Sequence, residues 1–169
     1  MTVRTRYWTA IQEAATLFNL DPILVEAVVV QESAGNTDAF RFERDFWNRY
    51  LKMLSQYKDS NPRRVSSSYG LMQVMFQVAV EEGYDPTLAP ELLFVPEIGL
   101  KFGCKRLRTL LDWADKGWPT LDADRRREAA LASYNGGRGG NTPGTLLRTG
   151  GYARSVLAIY AQLLTEHGQ

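Results

Sequence analysis

Apolar residues recur at three- and four-residue steps along most of the chain, which is the spacing of one helical face. No segment shows the alternation of a half-buried strand. From Thr5 to Phe18, Trp8, Ile11, Ala15 and Phe18 keep the helical spacing until Asn19 and Asp21-Pro22 break it. Asp21 as N-cap and Pro22 at the first helical position predict a second helix to about Ser33. Its buried stripe would be Ile23, Ala27 and Val30, widened by Leu24 and Val28.

Farther along, Ser66-Ser67-Ser68 offers N-caps for a helix from about Leu71 to Glu82, stopped by Gly83. Pro90 opens a short helix and Pro96 a long one to about Lys116. Asp122 or Asp124 caps another, to about Tyr134, and a last helix runs from about Gly151 to Glu166. Between these, Gly35 to Val65 is irregular. Phe40, Phe42, Phe46, Trp47, Tyr50 and Tyr57 alternate there with Arg41, Arg44, Arg49 and Lys52, and only Asp45 to Gln56 reads as partly helical. No linker or internal repeat divides the chain. The expectation is one all-α domain over residues 1–169, built of about seven helices.

Composition narrows the chemistry. Hydrophobic residues at 44% and aromatics at 11% of 169 residues suit a packed core rather than a disordered chain. Lys+Arg at 20 against Asp+Glu at 19 leaves no basic excess for nucleic acid. The single cysteine, Cys104, among Leu100, Leu107 and Leu111, reads as a buried free thiol, outside disulfide and zinc chemistry. The single histidine, His167, lies near the end of the chain and reads as a mobile tail residue; Ser-His-Asp and Cys-His catalysis are disfavoured. No metal or other cofactor is expected. Arg125-Arg126-Arg127 reads as a solvated face. Neither a signal peptide nor a membrane span is expected, since Ile23 to Val30 is short and interrupted by Glu26.

Catalysis then falls to carboxylates, hydroxyls and amides. Glu32 ends an apolar helix in Val28-Val29-Val30-Gln31-Glu32-Ser33. Apolar surroundings and a helix C-terminus both raise a carboxyl pKa, the state a general acid needs. Periodicity alone favours the plainer reading, in which Glu32 ends an amphipathic helix and faces water. Ser68-Tyr69-Gly70-Leu71-Met72-Gln73 combines a glycine that allows close approach with an amide fit for sugar recognition; its plain reading is a serine-capped core helix. Ser133-Tyr134-Asn135-Gly136-Gly137 offers a hydroxyl and an amide at a helix end; its plain reading is a C-cap.

Glu32-Ser33, then Gly70-Leu71-Met72-Gln73, then Tyr134-Asn135-Gly136-Gly137, then Tyr152 before an apolar helix resembles the soluble lytic transglycosylase family of lysozyme-like enzymes. The resemblance spans about Trp8 to Leu164. It implies a lysozyme-like fold with a substrate groove and Glu32 as the single catalytic acid/base. It implies Met72, Gln73, Tyr134 and Asn135 along the sugar groove and Tyr152 as the late tyrosine; Ser33, Ser68 and Gly70 are further candidates at the substrate, and Ser33, Ser68 and Tyr134 are the candidates to hydrogen-bond and orient Glu32. The implied substrate is the glycan strand of peptidoglycan, cut at the MurNAc-β-1,4-GlcNAc bond to leave 1,6-anhydro ends. The implied place of action is the cell wall or periplasm.

Two departures stand out. The stretch between Glu32 and Gly70 is about twice as long as the resemblance implies, as in phage members. Arg148-Thr149-Gly150-Gly151 stands where an acidic residue often precedes the late tyrosine. A phage particle or larger envelope protein carrying this domain fits the long stretch and the absent leader. Two other readings stay open. A goose-type lysozyme-like hydrolase would draw a second carboxylate from Asp38, Glu43 or Asp45. A non-catalytic wall-binding module would use the aromatics from Phe40 to Tyr57.

Overall fold

Helix formation follows the punctuation in the sequence closely. In the computed structural model, which describes residues 4–168, α1 covers Trp8–Leu17 and α2 Pro22–Ser33. The Asp21 carboxylate accepts a hydrogen bond from Ile23 N at 2.8 Å, and Ala34 closes α2 in a left-handed conformation. Two short helices, α3 (Arg44–Phe46) and α4 (Pro62–Val65), lie in the irregular stretch. A π-helical turn, Trp47–Leu51, and a 3-10 turn, Ser55–Tyr57, lie between them. Then come α5 (Phe76–Glu81), a 3-10 turn Pro90–Phe94, α6 (Pro96–Gly117), α7 (Ala123–Gly136) and α8 (Gly150–Glu166). Asp122 caps α7, its carboxylate accepting from Arg125 N at 2.9 Å.

The core gathers around α2 and α6. Every residue from Ile23 to Val29 is buried, Glu26 among them, so α2 is not the one-sided amphipathic helix its stripe suggests. It packs against α1 and α8, while α6 packs against α1 and α7. Leu100, Cys104, Leu107 and Leu110 of α6 are all fully buried. Burial pushes the Cys104 thiol up to about 12, so it remains an inert core residue.

The expectation of a strand-free chain is corrected. Three short strands, β1 (Phe40–Phe42), β2 (Ser67–Tyr69) and β3 (Val74–Met75), form an antiparallel sheet with β2 in the centre. Two or three residues are too few for alternation to register in a sequence. The serine run lies in and beside β2 instead of capping a helix, and the helix expected from Leu71 begins at Phe76. In its place, Gly70 and Gln73 turn the chain with φ of +70° and +46°.

That turn sits where glycine lets it. A Cβ on Gly70 and a Cβ on Gly99 would each fall 2.6 Å from the Leu93 carbonyl oxygen. Leu93 O is therefore wedged between two glycines, and the 3-10 turn lies directly on both the hairpin and α6. Gly103, one helical turn beyond Gly99, makes the same room for the Met72 side chain. The close approach expected at Gly70 is thus an approach by backbone.

The chain end is also corrected. His167 is not a free tail residue: its Nε2 lies 2.8 Å from Glu26 Oε2, and its ring rests on Trp8 at 4.1 Å between centroids. Thr5 N donates to the other Glu26 oxygen at 2.7 Å. The carboxylate joins the start of the described chain, α2 and the end of α8. The periodicity of α2 carried no sign of this, because Glu26 reads as a solvent-facing interruption.

Candidate active site

The sheet, the end of α2 and the end of α7 enclose a groove of about 440 Å³. Glu32 lies on the last turn of α2, where Ser33 Oγ donates to Leu71 O at 2.8 Å and ties the helix end to the hairpin turn. Across the groove run Arg41 of β1, its pairing partner Ser68 of β2, and Met75 of β3, one cross-strand row whose members all line it. Tyr134, Asn135 and Gly136 close it from the α7 end, and Phe46 and Tyr50 from the irregular stretch.

Among the described residues, one side chain hydrogen-bonds Glu32. Tyr152 Oη donates to Glu32 Oε1 at 2.7 Å. The path from Tyr134 to Tyr152 explains how the two meet. Buried Asn141 donates to Gly137 O at 2.8 Å and accepts from Thr149 N at 3.0 Å, folding the glycine-rich loop back on itself. Thr149 Oγ1 donates to Ala132 O at 2.6 Å. The loop thereby fixes the start of α8, and Tyr152 projects from its first turn.

Electrostatics suit a proton donor. Burial raises the Glu32 pKa above the ordinary carboxyl value; the Tyr152 hydrogen bond and the Arg41 charge oppose this, and Glu43 reinforces it. Burial, followed by the nearby Glu32 carboxylate, lifts both tyrosines well above the phenol range, so each keeps its proton and remains a donor.

The other expected site residues have their own partners. Tyr134 Oη donates to Met72 O at 2.9 Å, Ser68 Oγ to Glu43 Oε1 at 3.2 Å, and Ser33 to Leu71, so none of the three hydrogen-bonds Glu32. Met72 and Gly70 are buried outside the groove lining, and Met72 touches a groove residue through the carbonyl that accepts from Tyr134. Gln73 lines the groove but spends its amide NH2 on Ala39 O and Gly70 O, at 2.8 and 3.0 Å, leaving its carbonyl oxygen for a ligand. Asn135 is exposed on the wall.

Glu43 was one of three acids weighed as a second carboxylate, and it lines the groove; Asp38 and Asp45 do not. Arg41 Nε holds its Oε1 at 2.6 Å. Glu81, also on the wall, pairs with Arg106 at 3.5 Å. Met75, Gln77 and Arg106 line the groove without having been singled out, Met75 and Gln77 just past the Gly70–Gln73 motif and Arg106 far from either motif in sequence; Ser133 and Arg148, named in the sequence as a motif member and a departure, line it too. Among the described residues, no three His, Cys, Asp or Glu side chains converge as metal ligands, and no helix is long and apolar enough to cross a membrane.

Comparison with known proteins bears on the family and the fold. The family model described as Transglycosylase SLT domain matches residues 9–144. That span contains Glu32, Gly70 to Gln73 and Tyr134-Asn135, and stops short of Tyr152. Lytic transglycosylase Slt from Pseudomonas aeruginosa, solved as an inactive mutant, superposes with a TM-score of 0.66 at 18% identity, covering 96% of this chain and 24% of that one. The 70 kDa soluble lytic transglycosylase from Escherichia coli gives 0.63 at 21%, covering 96% and 25%. The chain thus spans about a quarter of either enzyme, and the likeness is one of fold. No curated protein matches it in sequence.

Proposed function

The chain belongs to the transglycosylase SLT domain family, and from that premise we propose that residues 1–169 act as a catalytic domain that cleaves the MurNAc-β-1,4-GlcNAc bond of peptidoglycan. The observation that carries this reading is a half-buried Glu32, pKa raised, on the groove wall with Tyr152 fixed to one of its oxygens. Oε1 is occupied by the tyrosine hydroxyl, which leaves Oε2 to carry the transferable proton. Glu32 gives that proton to the leaving glycosidic oxygen.

The other groove carboxylates, Glu43 and Glu81, are engaged by arginines. This favours a route with no protein nucleophile, in which the substrate's own N-acetyl group stabilises the developing positive charge. Glu32, now ionised, takes the proton from the C6 hydroxyl as that oxygen attacks C1. The product carries a 1,6-anhydro ring and no water is consumed. Gln73, Tyr134 and Asn135 supply amide and hydroxyl contacts to the sugars.

One observation favours a second reading. Glu43 lines the same groove as Glu32, and a carboxylate so placed can activate water, as an inverting hydrolase requires. Mass spectrometry of muropeptides released from purified walls separates the two. Anhydro ends are expected, lighter by one water; reducing ends on every product would replace the transglycosylase reading with the hydrolase.

A further inference from the structure

Five of the six aromatics named in the irregular stretch fall into two sets. Phe40 packs edge-on to Tyr69 at 5.3 Å and near Phe94 at 6.3 Å, Phe42 lies under Arg63, and the Tyr57 hydroxyl is bonded to Gln77. These serve the fold. Phe46 and Tyr50 do not follow them. Their rings lie 5.0 Å apart at 48°, Tyr50 is 60% exposed, and both line the Glu32 groove. An aromatic pair left open on a concave surface is the usual dress of a ligand pocket.

A second, independent observation lies within the same groove. Ser133 Oγ is buried, with the residue only 1% exposed, and has no hydrogen-bond partner among the described residues. A helical serine commonly turns its hydroxyl back to the carbonyl four residues earlier; Ser133 does not. It lines the groove beside Tyr134. Buried hydroxyls are nearly always satisfied, so an unsatisfied one on a residue of the cavity wall marks the place of a missing partner.

We propose that Phe46 and Tyr50, which the long stretch between Glu32 and Gly70 adds to the groove, form with Ser133 of α7 a sugar subsite whose occupant is an N-acetylated amino-sugar ring. Such a ring has an apolar C–H face and a rim of hydroxyl and acetamido groups. The aromatic pair covers the face, and Ser133 Oγ meets the rim. This rests on the glycan-cleaving reading above and deepens it, because it makes the added stretch a determinant of substrate binding rather than packing.

The test uses the full chain carrying Glu32→Gln, so that bound glycan survives, and the β-1,4-linked N-acetylglucosamine hexamer as probe in titration calorimetry. Phe46→Ala and Tyr50→Ala are each expected to weaken binding by about tenfold, equivalent to 1.4 kcal/mol. Ser133→Ala is expected to weaken binding severalfold while leaving Tm unchanged or higher, since it removes a hydroxyl the fold does not use. A purely structural serine would instead lower Tm and leave Kd alone. Binding unchanged in all three variants, or no binding of the hexamer by the Glu32→Gln parent, overturns the subsite. Wall lysis by the unaltered chain is measured alongside: lysis without these binding effects removes the subsite alone, whereas neither lysis nor binding removes the glycan reading with it.

Discussion

Tyr152 and Glu32 stand 120 residues apart in the chain and 2.7 Å apart in the fold, with the phenol donating to the carboxyl oxygen. The bond stabilises the ionised form of Glu32 against a burial that disfavours it. It thus ties the geometry of the acid to its proton affinity.

Tyr152→Phe keeps the ring and removes the donor. A hydrogen bond to a charged group is worth about 1.5–3 kcal/mol, so kcat should fall by roughly ten- to a hundredfold. Loss of a bond that lowers the Glu32 pKa lets that pKa rise further. Glu32 then stays protonated to higher pH, and the limb on which activity falls with rising pH moves in the alkaline direction. A pH-rate profile displaced the other way would contradict this arrangement.

Arg41 and Glu43 act on the same carboxyl with opposite signs. Arg41 lowers the Glu32 pKa and Glu43 raises it, while their own contact holds both on the groove wall. Arg41→Gln is expected to shift the alkaline limb to higher pH. Glu43→Gln removes a neighbouring negative charge and frees Arg41, so the limb shifts to lower pH. Paired pH profiles of the two variants check the signs. Loss of all cleavage in Glu43→Gln, at every pH, would instead favour the hydrolase.

Gly70→Ala tests the hairpin seat. The added Cβ would meet Leu93 O at 2.6 Å on a backbone with φ of +70°, so neither backbone relaxes without cost. Destabilisation of about 1–3 kcal/mol is expected by urea denaturation. Gly137→Ala provides the comparison, since its φ is also positive but its Cβ meets nothing within 4 Å; the loss there should be smaller.

How much of this could be read from the chain varies with the range of the interaction. Capping and proline placed α2, α6 and α7 within a residue or two, because those signals are local: Asp21-Pro22, Pro96 and Asp122 each specify their own helix start. The sheet was invisible because its strands are two or three residues long and β1 pairs with β2 across the irregular stretch. Glu32 was legible as a carboxyl at the end of an apolar helix. Its partner was less so, because Tyr152 reaches it only through the folding back of the loop around Asn141. The roles of Ser33, Ser68 and Tyr134 escaped for a related reason: a hydroxyl near a motif has many acceptors within reach, and backbone carbonyls took two of the three.

His167 gives the clearest case of a long-range contact with no local signal. Its partner Glu26 is fully buried, and removing the imidazole takes the partner from Oε2 while Thr5 stays on Oε1. His167→Ala should cost about 1–3 kcal/mol, the penalty for a buried polar group that loses a partner. Thermal unfolding checks it, and an unchanged Tm would restore the free-tail reading.

The most direct test of the central claim is release of soluble muropeptides from purified peptidoglycan by the unaltered chain and by Glu32→Gln, with circular dichroism showing that both are folded. Glutamine preserves the shape of the side chain and the acceptor for Tyr152 but has no transferable proton. The account predicts release by the unaltered chain and none above background by Glu32→Gln; sustained release by the folded variant would contradict it.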